Sequence, residues 1–177
     1  MSFINFINEI KKVRIDTSDV IKLTCVFYGS NFNQPLKLNT SKVIDMSWFL
    51  YMSKFNSELE FSDTSKVEDT SGMFAYSVYN KPLKLYTPEV IDMSDMFYNS
   101  KFNQPLELIM KKTKSITRMF MKSEFNNDLH IDTRYVENMQ YILLDSNFNQ
   151  PLTLNIRNNM YHINTSCKSY STVKFIC

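Results

Sequence analysis

Phe102-Asn103-Gln104-Pro105-Leu106 is a five-residue word that recurs unchanged at residues 32–36 and 148–152. Its first two positions belong to a longer series: Phe32-Asn33, Phe55-Asn56, Tyr79-Asn80, Phe102-Asn103, Phe125-Asn126 and Phe148-Asn149, at steps of 23, 24, 23, 23 and 23 residues. Four residues after each aromatic stands Leu36, Leu59, Leu83, Leu106, Leu129 or Leu152. Two further on stands Leu38, Phe61, Leu85, Leu108, Ile131 or Leu154. A period of this length is the mark of stacked repeats, each too small to bury its own apolar face. Extended backwards, the register reaches Val13 and Ile15; extended forwards, it reaches Phe175 and Cys177. Residues 13–177 then comprise seven 23-residue units, one inserted residue near Ser62-Asp63 and three residues of an eighth strand.

Each unit has two halves. The Leu-x-Leu half has the period of a strand that buries one face. The other half carries a stripe at i, i+3, i+6 and i+7, as in Val90, Met93, Met96 and Phe97, which predicts a helix. The same columns hold Val20/Leu23/Val26/Phe27, Val43/Met46/Phe49/Leu50 and Val136/Met139/Ile142/Leu143. Thr87-Pro88-Glu89 reads as the helix start, with Thr17, Thr40, Thr64 and Thr133 in the N-cap column. Gly29, Asn99 and Asp145 share the column where a left-handed residue would end it. Strands stack ~4.8 Å apart and helices ~8–10 Å apart. Stacking both predicts a curved α/β solenoid, with a concave parallel sheet of about eight short strands and helices on the convex side. Phe3, Phe6, Ile7 and Ile10 share a helical face, so residues 1–12 are expected to form an N-terminal capping helix on a single domain spanning 13–177.

Composition narrows the function. The chain has 177 residues, 44% hydrophobic and 14% aromatic, which excludes a disordered tail. Two glycines cannot build a phosphate loop, a dinucleotide fingerprint or a nucleophile elbow. A net charge of +2, mixed in sign, does not predict nucleic-acid binding. The first residues lack the basic and apolar regions of a secretory signal, no apolar run approaches a membrane span, and Ser2 rules out myristoylation. Cys25, Cys167 and Cys177 make an odd count, read as free thiols in a reducing, cytoplasmic compartment. The sequons at Asn39 and Asn164 matter only for an exported chain.

The remaining columns divide between framework and function. The aromatic column is expected to be a buried spine, and the asparagine beside it to bond to the backbone of adjacent turns. Ser30, Ser53, Ser77, Ser100, Ser123, Ser146 and Ser169 read as turn caps, since a nucleophile is not repeated at every turn. Asp45, Asp69 and Asp92 read as partners of a helix dipole, with a calcium-binding ladder as the alternative. His130 and His162 lie in different columns, which argues against zinc. No cofactor, metal or catalytic centre is expected.

The informative column lies between the strand apolars: Arg14, Lys37, Glu60, Lys84, Glu107, His130 and Thr153. Side chains alternate along a strand, so this column should line the concave face, joined by Asn39, Tyr86 and Asp132 two residues further on. The bland reading is a solvated sheet face; the functional one is a protein-binding face, with acidic residues interrupting any phosphate track. The strand Val173-Lys174-Phe175-Ile176-Cys177 carries no helix after it, which leaves an edge open to self-association.

The words Phe-Asn-Gln-Pro-Leu, Thr-Ser-Lys-Val-x-Asp and Asp92-Met93-Ser94-Asp95-Met96-Phe97 resemble the repeat of the BspA-like leucine-rich-repeat surface proteins, over about residues 13–155. Related repeats are similar to the leucine-rich-repeat gene family of insect poxviruses. Thr70 and Thr113 depart from the pattern, standing where the repeat has Met and Val, and Asn159, His162 and Thr165 erode the last stripe. The resemblance implies a leucine-rich-repeat fold, with adhesion or host interaction for exported members and intracellular interaction for the others. The expected function is thus non-enzymatic binding of a host or cellular protein. The alternative is a cell-surface adhesin whose export segment lies outside this chain.

Overall fold

A computed structural model describes residues 15–155 and the strand at 173–176. The expected capping helix at 1–12, Arg14 and the eroded stripe around His162 lie outside the described residues. The strands are β1 (Leu36–Leu38), β2 (Leu59–Phe61), β3 (Leu106–Glu107), β4 (Leu129–His130), β5 (Leu152–Asn155) and β6 (Val173–Ile176). They pair in parallel as β1 with β2, β3 with β4 and β5 with β6. Leu36 faces Leu59 and Leu106 faces Leu129, in the register that the repeat predicts. The last pair departs from it: Leu152 faces Val173 and Leu154 faces Phe175, so the final step is two residues shorter than the others.

The larger correction concerns the second half of each unit. Among the described residues there is no helix, and the sheet is three short pairs, so the expected α/β solenoid with convex helices is not what this chain forms. The apolar stripe is buried as predicted from Val43, Met46, Phe49 and Leu50 through to Val136, Met139, Ile142 and Leu143. Its backbone, however, is a run of overlapping tight turns. In the first such run Val26, Tyr28 and Ser30 donate their N–H groups to the carbonyls of Leu23, Cys25 and Phe27. The alternate residues Leu23, Cys25, Phe27 and Gly29 donate instead to Asp45, Ser47, Phe49 and Tyr51 in the next rung, at 2.8–3.1 Å. A helix would consume all of these donors internally and hold its neighbour at about 8–10 Å. The turn run closes at strand spacing because half of its amides point to the next rung.

That geometry requires left-handed residues. Positive φ occurs in two columns: Cys25, Trp48, Gly72, Asp95, Arg118 and Tyr141, then Gly29, Met52, Tyr76, Asn99, Lys122 and Asp145. Each is the third residue of a turn, the position at which a type II turn has positive φ. Reading Gly29, Asn99 and Asp145 as left-handed holds, though they end a turn and not a helix. Ordinary side chains there cost about 1–2 kcal/mol each. The amides of Trp48, Tyr76, Arg118 and Lys122 recover part of that cost by reaching Ser71, Tyr98, Gln140 and Leu144 of the following rung at 2.8–2.9 Å.

The spine forms as expected. Phe55, Tyr79, Phe102, Phe125 and Phe148 are fully buried, and successive rings from Phe32 onward stack at centroid distances of 6.0–6.3 Å. Burial pushes the Tyr79 phenol up to about 12. A second row, Phe74, Phe97 and Phe120, stacks at 5.4 Å. The asparagines also behave as read: Oδ1 of Asn33, Asn56, Asn80, Asn103 and Asn126 accepts the N–H of Asn56, Asn80, Asn103, Asn126 and Asn149 at 2.7–2.9 Å. Both departures from the repeat are accommodated the same way, since the buried Thr113 hydroxyl donates to the Val90 carbonyl at 3.0 Å and that of Thr70 to the Asp92 carbonyl at 3.4 Å.

Trp48 lies over Gly72 of the next rung, where an added Cβ would sit 2.2 Å from the indole ring; at Gly29 nothing lies within 4 Å. Both glycines have φ +60. Gly29→Ala should therefore cost only the left-handed strain, about 1 kcal/mol. Gly72→Ala adds a steric clash and should cost more than about 2 kcal/mol in urea unfolding. Far-ultraviolet circular dichroism should show no more helix than the residues outside 15–155 can supply, far below the half-chain that a helix in every unit would give.

Candidate functional site

The strand-face column is exposed where the structure describes its side chains, as strand alternation requires: Lys37, Glu60, Lys84, Glu107, His130 and Thr153 all face solvent. The structure does not unite them into one site. Lys37 and Glu60 are opposite each other across β1 and β2, and the Lys37 ammonium donates to the Glu60 carboxylate at 2.6 Å. Glu107 faces His130 across β3 and β4, and Thr153 faces Lys174 in place of the expected Ile176. Asn39 is occupied locally, its Oδ1 accepting from the Ser41 amide at 3.2 Å and hydroxyl at 2.8 Å. Asp132 is held by Arg134, whose Nη2 donates to Oδ2 at 2.6 Å.

Lys84, Tyr86 and Glu107 do come together, at a place where the sheet opens. Leu83–Leu85 has strand sequence but forms no ladder with β2 or β3. In the previous rung the Ser62 amide bonds to the Leu38 carbonyl at 3.0 Å, and the next amide, of Asp63, bonds to the Thr40 hydroxyl at 3.2 Å. Between Leu85 and Thr87 there is one residue fewer, and its amide, of Tyr86, bonds to the Thr64 hydroxyl at 2.9 Å, which also reaches the Tyr86 carbonyl at 2.9 Å. A groove of about 870 Å³ lies here. Phe61, Leu83, Leu85 and Ile109 supply its apolar lining, and Lys84, Tyr86, Asp63 and Glu107 its polar groups. Among the described residues Lys84 has no ion-pair partner. Ile109 was expected on this face and Ser62-Asp63 was read as the place of the insertion; Gln104 was not singled out from sequence.

The threonine, serine and aspartate columns are framework. Thr17, Thr40 and Thr64 donate to carbonyls of the next rung and cap no helix. Ser30, Ser53 and Ser146 accept the amide two residues on, at 3.0–3.4 Å. The hydroxyls of Ser77, Ser100, Ser123 and Thr87 are buried without a hydrogen-bond partner. Asp45, Asp69 and Asp92 bind the amides of Ser47, Ser71 and Ser94 at 2.7–3.0 Å; with no helix there, the dipole reading is withdrawn. Among the described residues no group of three His, Cys, Asp or Glu side chains is placed to hold a metal ion, and no helix is long and apolar enough to cross a membrane.

On a second surface, Tyr28, Tyr51, Tyr76 and Tyr98 form a row, with ring centroids 5.0, 5.6 and 5.0 Å apart. Ala75, which is buried, occupies the row's own register position, and the ring of Tyr76 beside it meets Tyr51 and Tyr98 instead. This row was not recognised in the sequence, although Tyr28, Tyr51 and Tyr98 keep the repeat spacing. Burial, then the neighbouring phenols and Asp95, push the Tyr51 phenol up. Beside the row Asp95 and Arg118 form a two-pronged pair, Nε to Oδ1 at 2.8 Å and Nη2 to Oδ2 at 2.7 Å.

A strand, a spine and a turn run repeated in register define a repeat protein. The chain belongs to the repeat family described as Mycoplasma protein of unknown function, DUF285, which matches residues 2–109 and again residues 79–173. The match supports the repeat-family part of the resemblance and carries nothing specific to leucine-rich repeats. No curated protein and no solved structure matches the chain.

The carboxyls of Asp45 and Asp132 both lie below their ordinary value. At Asp45 burial pushes upward, and the Ser47 hydroxyl and amide, the Thr24 hydroxyl and the Lys22 charge outweigh it. At Asp132 the Arg134 guanidinium is the main cause. A carboxyl depressed on folding contributes stability above the unfolded value of about 4, and that contribution is lost as pH falls through the folded value. Urea midpoints should therefore drop on acidification below about pH 4. Asp45→Asn should be less stable at neutral pH and lose less on acidification.

Proposed function

We propose that this chain is a non-enzymatic binding module that engages another protein, a host or cellular one, through the strand face around Lys84, Tyr86 and Glu107. The observation that carries this reading is the opened sheet at Leu83–Leu85, where a groove of about 870 Å³ places apolar side chains beside a lysine that has no ion-pair partner among the described residues. Elsewhere on the face Lys37–Glu60 and Asp132–Arg134 satisfy one another, as a solvated surface would. Anchoring at an apolar groove with a few polar groups is how protein interfaces concentrate their binding energy. A cytoplasmic setting is part of the proposal, as is the absence of catalysis. Arg14, Asn39, Glu60, His130 and Thr153 would contribute at most the rim. Self-association through the strand at 173–176 belongs to the same proposal.

The test is affinity capture from the native cellular setting, with the captured partner identified and then bound to variants. Lys84→Glu combined with Glu107→Lys should reduce binding by at least about tenfold, the loss expected when central contacts are reversed. Exchanging Lys37 and Glu60, which preserves their pair, should leave it within about twofold. Unchanged binding in the Lys84/Glu107 variant would move the site off this face.

A further inference from the structure

The tyrosine row is not used by the proposed binding face. Its members differ in geometry in a way that bears on their chemistry. Tyr28 and Tyr51 come from adjacent rungs, with ring centroids 5.0 Å apart and planes inclined by 29°. Tyr28 is 58% exposed and Tyr51 is half-buried. Tyr51–Tyr76 and Tyr76–Tyr98 meet edge to face, at 75° and 76°. Stacked rings bring together the π faces that carry the unpaired spin of a phenoxyl radical, the orientation in which two such radicals couple. Edge-to-face rings set the two π systems nearly at right angles, a poorer orientation for that coupling. Both backbones are tied in place, Tyr28 by its amide to Cys25 and Tyr51 by its carbonyl to Gly29 at 2.8 Å.

We propose that Tyr28 and Tyr51 are an oxidative cross-linking site, coupling to a dityrosine that staples two consecutive rungs. The oxidant is hydrogen peroxide acting through a haem peroxidase. Each phenol gives up one electron and one proton, and peroxide takes up both pairs to leave two waters. The two phenoxyl radicals form one carbon–carbon bond between ortho positions, and the ortho hydrogens shift to oxygen to restore both phenols. The product is two hydrogens lighter than the starting chain. Holding the radicals at contact gives the intramolecular pair a large advantage over encounter between chains. Among the described residues Tyr76, Tyr86 and Tyr141 are also exposed, and none of the three stacks face to face on another tyrosine.

The test treats dilute full-length protein with a haem peroxidase and one equivalent of hydrogen peroxide, and reads dityrosine fluorescence, chain mass and the linked peptides. A monomer two hydrogens lighter, with the peptides carrying Tyr28 and Tyr51 joined, is the expected result. Tyr28→Phe, at an exposed position, should lower the monomer's dityrosine fluorescence by about tenfold, given the proximity advantage of the pair. Tyr98→Phe should leave it unchanged. An unaltered urea midpoint in each variant shows that the fold is retained. Equal fluorescence in the Tyr28→Phe monomer, a link to any other tyrosine, or coupling only between chains would overturn the proposal.

Discussion

Everything in this structure depends on closing one rung onto the next at the distance of a parallel backbone hydrogen bond. The asparagine ladder, the turn-run amides and the strand pairs close at that spacing, and the spine rings stack beside them at 6.0–6.3 Å. The turn run satisfies the constraint by sending alternate amides to the neighbouring rung while the others close local turns. Its cost is two left-handed residues per unit, most of them not glycine. Rung-to-rung hydrogen bonds and the buried aromatic and methionine side chains offset it. This is why a chain with two glycines can make a turn-rich fold: the neighbour holds each left-handed residue in place.

The apolar stripe shows how a correct burial pattern can be attached to the wrong backbone. Met93, Met96 and Phe97 are in the core, as a helical stripe predicts. A run of turns that advances two residues at a time returns side chains to the core at spacings that imitate a helix. Local periodicity does not separate the two. The separation comes from the mismatch between helix width and strand spacing, which curvature of the stack could in principle absorb. In this chain the helix is given up, and the second half-unit closes on its neighbour by backbone hydrogen bonds.

The site followed a similar course. Strand alternation identified the exposed column, and the 24-residue step located the irregular rung. Neither revealed that the Tyr86 amide would bond to the Thr64 hydroxyl, or that the sheet would be open there. Nor did they distinguish Lys84, left unpaired, from Lys37, matched with Glu60 across the register. The tyrosine row was hidden for another reason: Ala75 interrupts it in sequence, and Tyr76 fills the gap from the adjacent column.

The sequence by itself determined the period, the spine, the asparagine ladder and the register in which β1 meets β2 and β3 meets β4, because each is set by side-chain type recurring at a fixed interval. The tertiary structure decided the conformation of the second half-unit, the shortened final step, the break in the sheet and the partners of each charge. Those depend on which donor reaches which acceptor in the adjacent rung, and that is a property of the stack and not of any single repeat.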